Sequence, residues 1–250
     1  MNVYEFKKRQ PEPPAHTPAL NLPPVIVWLS GVMIAIHVAR TFLLPDSWNG
    51  NILLYFAFWP VRYQPDLLLS GSAPGGFGAD IWSFVTYGLL HGGAMHIIFN
   101  LLWMAIFGSA VARRFGIARF LILSAACAAG GAVLHLMTHW GESAPMIGAS
   151  AAVSGQMAVA IRFIFELGGP LGAFRRSDDA AYRVPAMPLN ACFQNPQVLG
   201  FTAVWFGLNL FFGLVGGGGS GSIAWQAHIG GFITGLALFP LLDPVPRRFR

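Results

Sequence analysis

Four polar residues with the chemistry of acyl transfer interrupt otherwise apolar stretches of this chain: His96, Asn100, Ser150 and His228. A serine hydroxyl becomes a nucleophile when an imidazole takes its proton, and the imidazole then returns that proton to the leaving amine. Histidine and asparagine side chains can donate hydrogen bonds to the oxyanion formed on the attacked carbonyl. Ser150 lies in GASAAVSG (148–155), where small neighbours let a substrate backbone approach closely. His228 lies in AHIGGFITG (227–235), and His228, Gly231 and Gly235 follow i, i+3, i+7 on one helical face. His96 and Asn100 are i, i+4 within HGGAMHIIFN (91–100) and share a face as well. Taken singly, each has an ordinary reading. A serine in a helix bonds a backbone carbonyl, a buried histidine is structural, and an asparagine joins helices.

The carboxylates narrow the chemistry. Glu166 lies 16 residues beyond Ser150, about 24 Å along a helix, and Asp243 is similarly far from His228. An aspartyl mechanism is thereby excluded, as is a carboxylate third member of a triad drawn from the helices. A Ser150–His228 dyad remains. The metalloprotease pattern H-E-x-x-H is absent, since His135-Leu136-Met137-Thr138-His139 carries leucine where the base belongs. No metal or cofactor is expected.

The elements that must hold these groups are membrane helices. The chain is 55% hydrophobic and 10% charged, with mean hydropathy +0.58; a soluble domain is about 25% charged. Apolar residues collect in six blocks, near 25–44, 94–111, 117–138, 146–165, 198–215 and 223–242. Continuous runs of this length predict spanning helices, not alternating barrel strands. The pI near 9.7 reflects short basic clusters beside the blocks, a membrane-flanking pattern, and no nucleic-acid-binding motif is present. With the N-terminus inside, all 15 Lys and Arg residues except Arg40 and Arg62 fall on the inner side. That bias predicts an N-in, C-in topology. Spans two, four and six then run inward and bring His96, Asn100, Ser150 and His228 to one depth, within roughly 10 Å of the outer surface.

Residues 1–24 read as a disordered cytoplasmic tail, 25–243 as the membrane domain, and 244–250 as a basic cytoplasmic tail. The outer loop 45–93 is expected to lie partly in the interface, with Trp48, Trp59 and Trp82 at that depth. The cytoplasmic loop 168–197 is expected to be solvated. The glycine-rich loop 216–222 is expected to be mobile. Cys127 and Cys192 read as inert thiols, not a disulfide framework.

The motifs together resemble those of the rhomboid family of intramembrane serine proteases. His91–Asn100 resembles its H-x4-H-x3-N signature, GASAAVSG its G-x-S motif, and AHIGGFITG its final-helix A-H-x-x-G-x-x-x-G. Order and spacing agree over roughly residues 80–243. The resemblance implies an all-α membrane protein, a six-transmembrane-helix rhomboid-like bundle. It implies Ser150 as nucleophile and His228 as general base and acid. His96, Asn100 and the Ser150 N–H would form the oxyanion hole. His91 would hold the outer loop, and Gly148, Gly155, Gly231 and Gly235 would be structural. Phe99, Phe211 and Phe212 would line a lateral gate for transmembrane protein substrates entering from the lipid bilayer. Two departures stand beside the serine. Ala151 replaces a common glycine, and Ser154 replaces an aromatic that stacks on the histidine. Farther away, Trp82 is kept, while Ser83 and Ala112 occupy two positions that are commonly charged.

Two other readings stay open. One is a non-catalytic rhomboid-like binder of transmembrane helices. The other is a membrane metal-binding or transport protein built on His91, His96, His135, His139 and His228. The expected location is a bacterial inner membrane.

Overall fold

Small residues set how closely this bundle packs. A computed structural model describes residues 21–174, 178–215 and 224–246. The predicted N-terminal tail before residue 21, the loop 216–222 and the last four residues lie outside that description. Of the described residues 73% are helical, and none lies in a strand. Among the described residues, three helical segments are long and apolar enough to cross a membrane: Pro24–Leu43, Ala94–Thr138 and Trp225–Leu242.

Helix α1 (Pro24–Val38) begins on a proline at its first position and ends in a π-helical turn, Ala39–Leu43, just before Pro45. The segment that follows, expected as the outer loop and called the outer segment below, is itself helical. It comprises α2 (Asp46–Phe56), a 3-10 turn (Pro60–Tyr63), α3 (Pro65–Ser70) and α4 (Gly76–Thr86). Helix α5 (Ala94–Trp103) continues through a π turn (Met104–Gly108) into α6 (Ser109–Thr138). Gly116 breaks α6 with φ 75° and ψ 170°, a conformation open to glycine, so the chain turns there. The boundary between predicted spans two and three falls on this break. Helices α7 (Ser150–Ala160), α8 (Leu189–Cys192), α9 (Pro196–Val215) and α10 (Trp225–Leu242) complete the order.

The fourth predicted span, 146–165, is shorter than expected. Regular helix occupies only Ser150–Ala160, because Met146 forms a backbone bridge with Phe58 and the chain turns after Ala160. Helix α7 is nearly all buried, so it is the core of the bundle. It lies between α6 and α10, where glycine and alanine replace larger side chains. A Cβ on Gly131 would lie 2.5 Å from Ala151 Cβ and 2.7 Å from the Ala227 carbonyl oxygen. One on Gly155 would lie 2.8 Å from the Gly231 carbonyl oxygen, and one on Gly235 would lie 2.8 Å from Gly155 Cα. In a bilayer, where apolar surface gains little by leaving lipid, such backbone approach is the main source of helix association.

The outer faces are the reverse of a soluble protein's. Ile98, Phe99, Leu102 and Ile106 recur at helical spacing along α5 and its π turn and are each about half exposed. This is an integral membrane protein.

The two cations that the charge bias leaves outside, Arg40 and Arg62, are both buried and partnered. Arg62 Nε pairs with Asp80 at 3.0 Å, and its other nitrogens donate to the carbonyls of Leu54 and Pro74. Tyr63 donates to the Asp80 carbonyl at 2.7 Å. Arg40 donates to Asn49 Oδ1 and to the His91 carbonyl. These bonds tie the outer segment together. The indoles of Trp59 and Trp82 donate to the carbonyls of Leu53 and Tyr55, while Trp48 is exposed.

At the opposite end the loop 168–197, expected to be solvated, is exposed or half-buried along most of its described part but is pinned inward in places. Ala181, Met187 and Cys192 are buried there. The cause is Arg114, wholly buried, which pairs with Asp243 and donates to the carbonyls of Tyr182 and Val184. A buried guanidinium needs those acceptors, and the loop folds over it to supply them. Both cysteines are free and buried.

Candidate active site

Helix α7 begins at Ser150 because Gly148 turns the chain into it. Gly148 has φ 119°, and a Cβ there would lie 2.5 Å from His96 Nε2, so both conformation and space require glycine. The Gly148 N–H donates to the Tyr87 carbonyl at 3.0 Å, and the Tyr87 hydroxyl donates to the Ala128 carbonyl at 2.9 Å. The entry to α7 is thereby fixed to the outer segment and to α6. The first intrahelical bond runs from Val153 N–H to the Ala149 carbonyl. The N–H groups of Ser150, Ala151 and Ala152 precede it and have no partner within the helix. They present the positive end of the helix dipole at the serine.

Helix α10 carries His228 to the same point. Gly231 lies on the Ala151 backbone and brings the two helices to contact one turn below the histidine. His228 Nε2 stands 2.7 Å from Ser150 Oγ. The hydroxyl is thus placed to give its proton to the imidazole.

The other ring nitrogen meets a residue that the sequence reading did not select. His228 Nδ1 is hydrogen-bonded to Asn209 Oδ1 of α9, and Asn209 Nδ2 donates to the Trp205 carbonyl at 2.8 Å. The partner behind the histidine is an amide, not a carboxylate. The available signal was Asn209 itself, an isolated polar side chain in the apolar run 198–215. Ser154, at the position of the expected aromatic, is buried and bonds the Ser150 carbonyl at 2.7 Å within its own helix.

From α5, His96 reaches Gly148, two residues before the serine, and Asn100 follows one turn along the same helix. His96 Nδ1 accepts from the Gly92 N–H at 3.4 Å, which leaves the ring proton on Nε2, the nitrogen that faces Gly148. Asn100 is buried, and its amide nitrogen donates to the His96 carbonyl at 2.8 Å. His91 lies edge-on to His96 with ring centroids 5.2 Å apart, and its carbonyl receives Arg40. Burial pushes the His91 pKa down to about 4, with His96 contributing further.

Of the candidate gate residues, Phe99 and Phe211 are each about half exposed, on α5 and α9. The Phe212 side chain lies outside the described residues. Gly155 and Gly235 meet each other across α7 and α10. His135 and His139 stack at 4.2 Å between ring centroids, and among the described residues no three His, Cys, Asp or Glu side chains form a metal-binding group.

Residues 78–243 match the model of the rhomboid domain. Among curated proteins, the chain is 25% identical over 95 residues to Rhomboid protease GlpG of Haemophilus influenzae, covering 38% of this chain and 41% of that one. It is 26% identical over 161 residues to the protein of that name from Photorhabdus laumondii, covering 64% and 46%. It is 24% identical over 200 residues to the Klebsiella pneumoniae protein, covering 79% and 57%. The chain therefore spans about half the length of these relatives. The match to the domain model covers every motif around Ser150 and His228, and on it the chain belongs to the rhomboid family.

Proposed function

We propose that this protein is an intramembrane serine endopeptidase that cleaves transmembrane protein substrates near the outer membrane surface. The observation that carries this reading is the 2.7 Å approach of His228 Nε2 to Ser150 Oγ at the start of α7. Ser150 is the nucleophile. His228 takes its proton as the hydroxyl attacks the scissile carbonyl, then delivers that proton to the amine as the peptide bond breaks. In the second half-reaction His228 activates water against the acyl-enzyme. The unpaired N–H groups of the first turn of α7 and the His96 Nε2–H supply charge stabilisation for the oxyanion. Asn100 turns its amide toward the same pocket when a substrate carbonyl replaces the His96 carbonyl as acceptor.

The substrate enters between α5 and α9, past Phe99, Phe211 and Phe212. The charge bias supports a six-span N-in, C-in topology, and with it a site toward the outer leaflet of a bacterial inner membrane. No cofactor takes part.

The test is cleavage of a model transmembrane substrate in proteoliposomes by the wild type, Ser150→Ala and His228→Ala. Cleavage by the wild type alone is expected. Labelling of Ser150 by a fluorophosphonate is expected in the wild type and lost in His228→Ala. Equal cleavage by all three would reject the reading. A folded wild type that neither cleaves nor labels would favour a non-catalytic binder of transmembrane helices.

A further inference from the structure

We infer that Asn209 is a positioning residue for His228, resting on the serine-protease reading above. The family resemblance leaves the orientation of this imidazole unexplained, because Ser154 stands where an aromatic would stack on it. Ser154 is committed to the Ser150 carbonyl. The contact that orients the ring comes from another helix.

The direction of each hydrogen bond follows from one fixed point. The Trp205 carbonyl can only accept. Asn209 must therefore present its NH2 group to Trp205, at 2.8 Å, which leaves Oδ1 as the atom that meets His228 Nδ1. The reversed amide would set carbonyl against carbonyl at Trp205. An amide oxygen can only accept, so Nδ1 carries the ring proton. Nε2 then holds its lone pair toward Ser150 Oγ, 2.7 Å away, which is the tautomer a general base needs. Once Nε2 has taken the serine proton, the imidazolium donates from both nitrogens, and Asn209 Oδ1 stabilises the Nδ1 side. No proton passes to Asn209.

The relay has a rigid mount. Trp205 stacks on Phe232 of α10 with centroids 5.3 Å apart and an interplanar angle of 24°, and Phe206 meets the same ring edge-on at 5.7 Å. Helix α9 is thus fixed to α10 one turn from Asn209, near the depth where α10 carries His228. An amide fills the place that a buried aspartate fills in soluble serine proteases. In a helix within the bilayer it orients the ring without the cost of an unpaired charge.

The test is kinetics on a transmembrane substrate in proteoliposomes for wild type, Asn209→Ala, Asn209→Leu and Asn209→Asp, beside Ser150→Ala. Leucine keeps the branched outline of asparagine but lacks the acceptor; aspartate keeps the acceptor. Asn209→Ala and Asn209→Leu are expected to lower kcat about 10- to 100-fold with KM within about threefold, the cost of a misplaced base. Asn209→Asp is expected to fall between wild type and leucine, because it keeps the acceptor for Nδ1 but sets its second oxygen toward the Trp205 carbonyl. A merely structural role predicts the opposite order, with leucine rescuing and aspartate failing. Wild-type kcat in the alanine and leucine variants, or an aspartate variant no better than leucine, would overturn the assignment while Ser150→Ala remained inactive. If Ser150→Ala cleaves like wild type, the protease reading itself fails and this assignment with it.

Discussion

Gly231 of α10 lies directly on the backbone of Ala151, the residue that follows the candidate nucleophile in α7. An added Cβ would collide with the Ala151 carbonyl and lie 3.0 Å from Ala151 Cα. Both neighbours are backbone, so neither can rotate away. The contact between Ser150 and His228 therefore depends on a residue that performs no chemistry. Gly231→Ala is expected to force the helices apart, lower stability by about 1–3 kcal/mol, and reduce cleavage at least about 100-fold. Gly207→Ala on α9 is the control, since a Cβ there meets open space. Its thermal midpoint and activity should match wild type. A Gly231→Ala protein with wild-type midpoint and rate would refute the packing argument.

Ser154 lies one turn along α7 from the candidate nucleophile. Its hydroxyl bonds the Ser150 carbonyl, an acceptor within its own helix. Such back-bonding contributes little to helix stability. Ser154→Ala is expected to cost under about 1 kcal/mol and to keep kcat within about threefold of wild type. A loss comparable to that of Ser150→Ala would mean that the hydroxyl takes part in proton transfer.

The motif residues were legible in the sequence for a physical reason. Ser150, His228 and His96 are polar groups in apolar helices, and such groups carry a cost that only partners or function offset. The glycines of AHIGGFITG were legible because close backbone approach leaves a spaced pattern. Asn209 was not legible as a partner of His228, because no sequence rule gives the rotation of α9 against α10. That rotation is set by Trp205, Phe206 and Phe232 meeting in space. Span four is shorter than its hydropathy predicts because hydropathy cannot distinguish helix from the non-helical residues 146–149, of which Met146 pairs with Phe58, or from the turns after Ala160. The pinning of the loop over Arg114 was missed for a similar reason. A charge beside an apolar block looks solvated until its partner, 129 residues away, is known.

The outer segment carries an acid-sensitive group. His91 is 2% exposed, and burial pushes its pKa down to about 4, whereas an unfolded imidazole titrates near about 6.5. Between those values the unfolded chain binds more protons than the folded one, so stability rises with pH. His91's neutral-state contribution is complete above about pH 6.5 and is lost as pH falls toward 4, by at most about 3 kcal/mol. Denaturation midpoints from pH 7.5 to 4.5 should fall more steeply for wild type than for His91→Asn, which cannot titrate. Parallel curves would show that His91 is not the group responsible.

Arg114 and Asp243 make the opposite kind of bond, a buried pair whose loss should be felt at every pH where both are charged. Arg114 Nε and Nη2 donate to the two Asp243 oxygens at 2.8 and 2.9 Å, and the side chains are 0% and 6% exposed. The guanidinium also lies over the Phe163 ring, 4.6 Å from its centroid. Removing one member strands the other, at about 3–5 kcal/mol. Asp243→Ala is therefore expected to lower the thermal midpoint sharply. Arg114→Met with Asp243→Leu should lose less than the two single losses added, because no charge is left unpaired. The loop separates the two residues' roles. Arg114 Nη1 donates to the carbonyls of Tyr182 and Val184, both at 2.8 Å, while the recorded bonds of Asp243 do not reach them. Arg114→Met alone and the double variant should both become sensitive to limited proteolysis near residues 180–186. Asp243→Leu alone should remain more resistant there. Equal protection of that loop in all variants would mean that it is held by its buried Ala181 and Met187 rather than by Arg114.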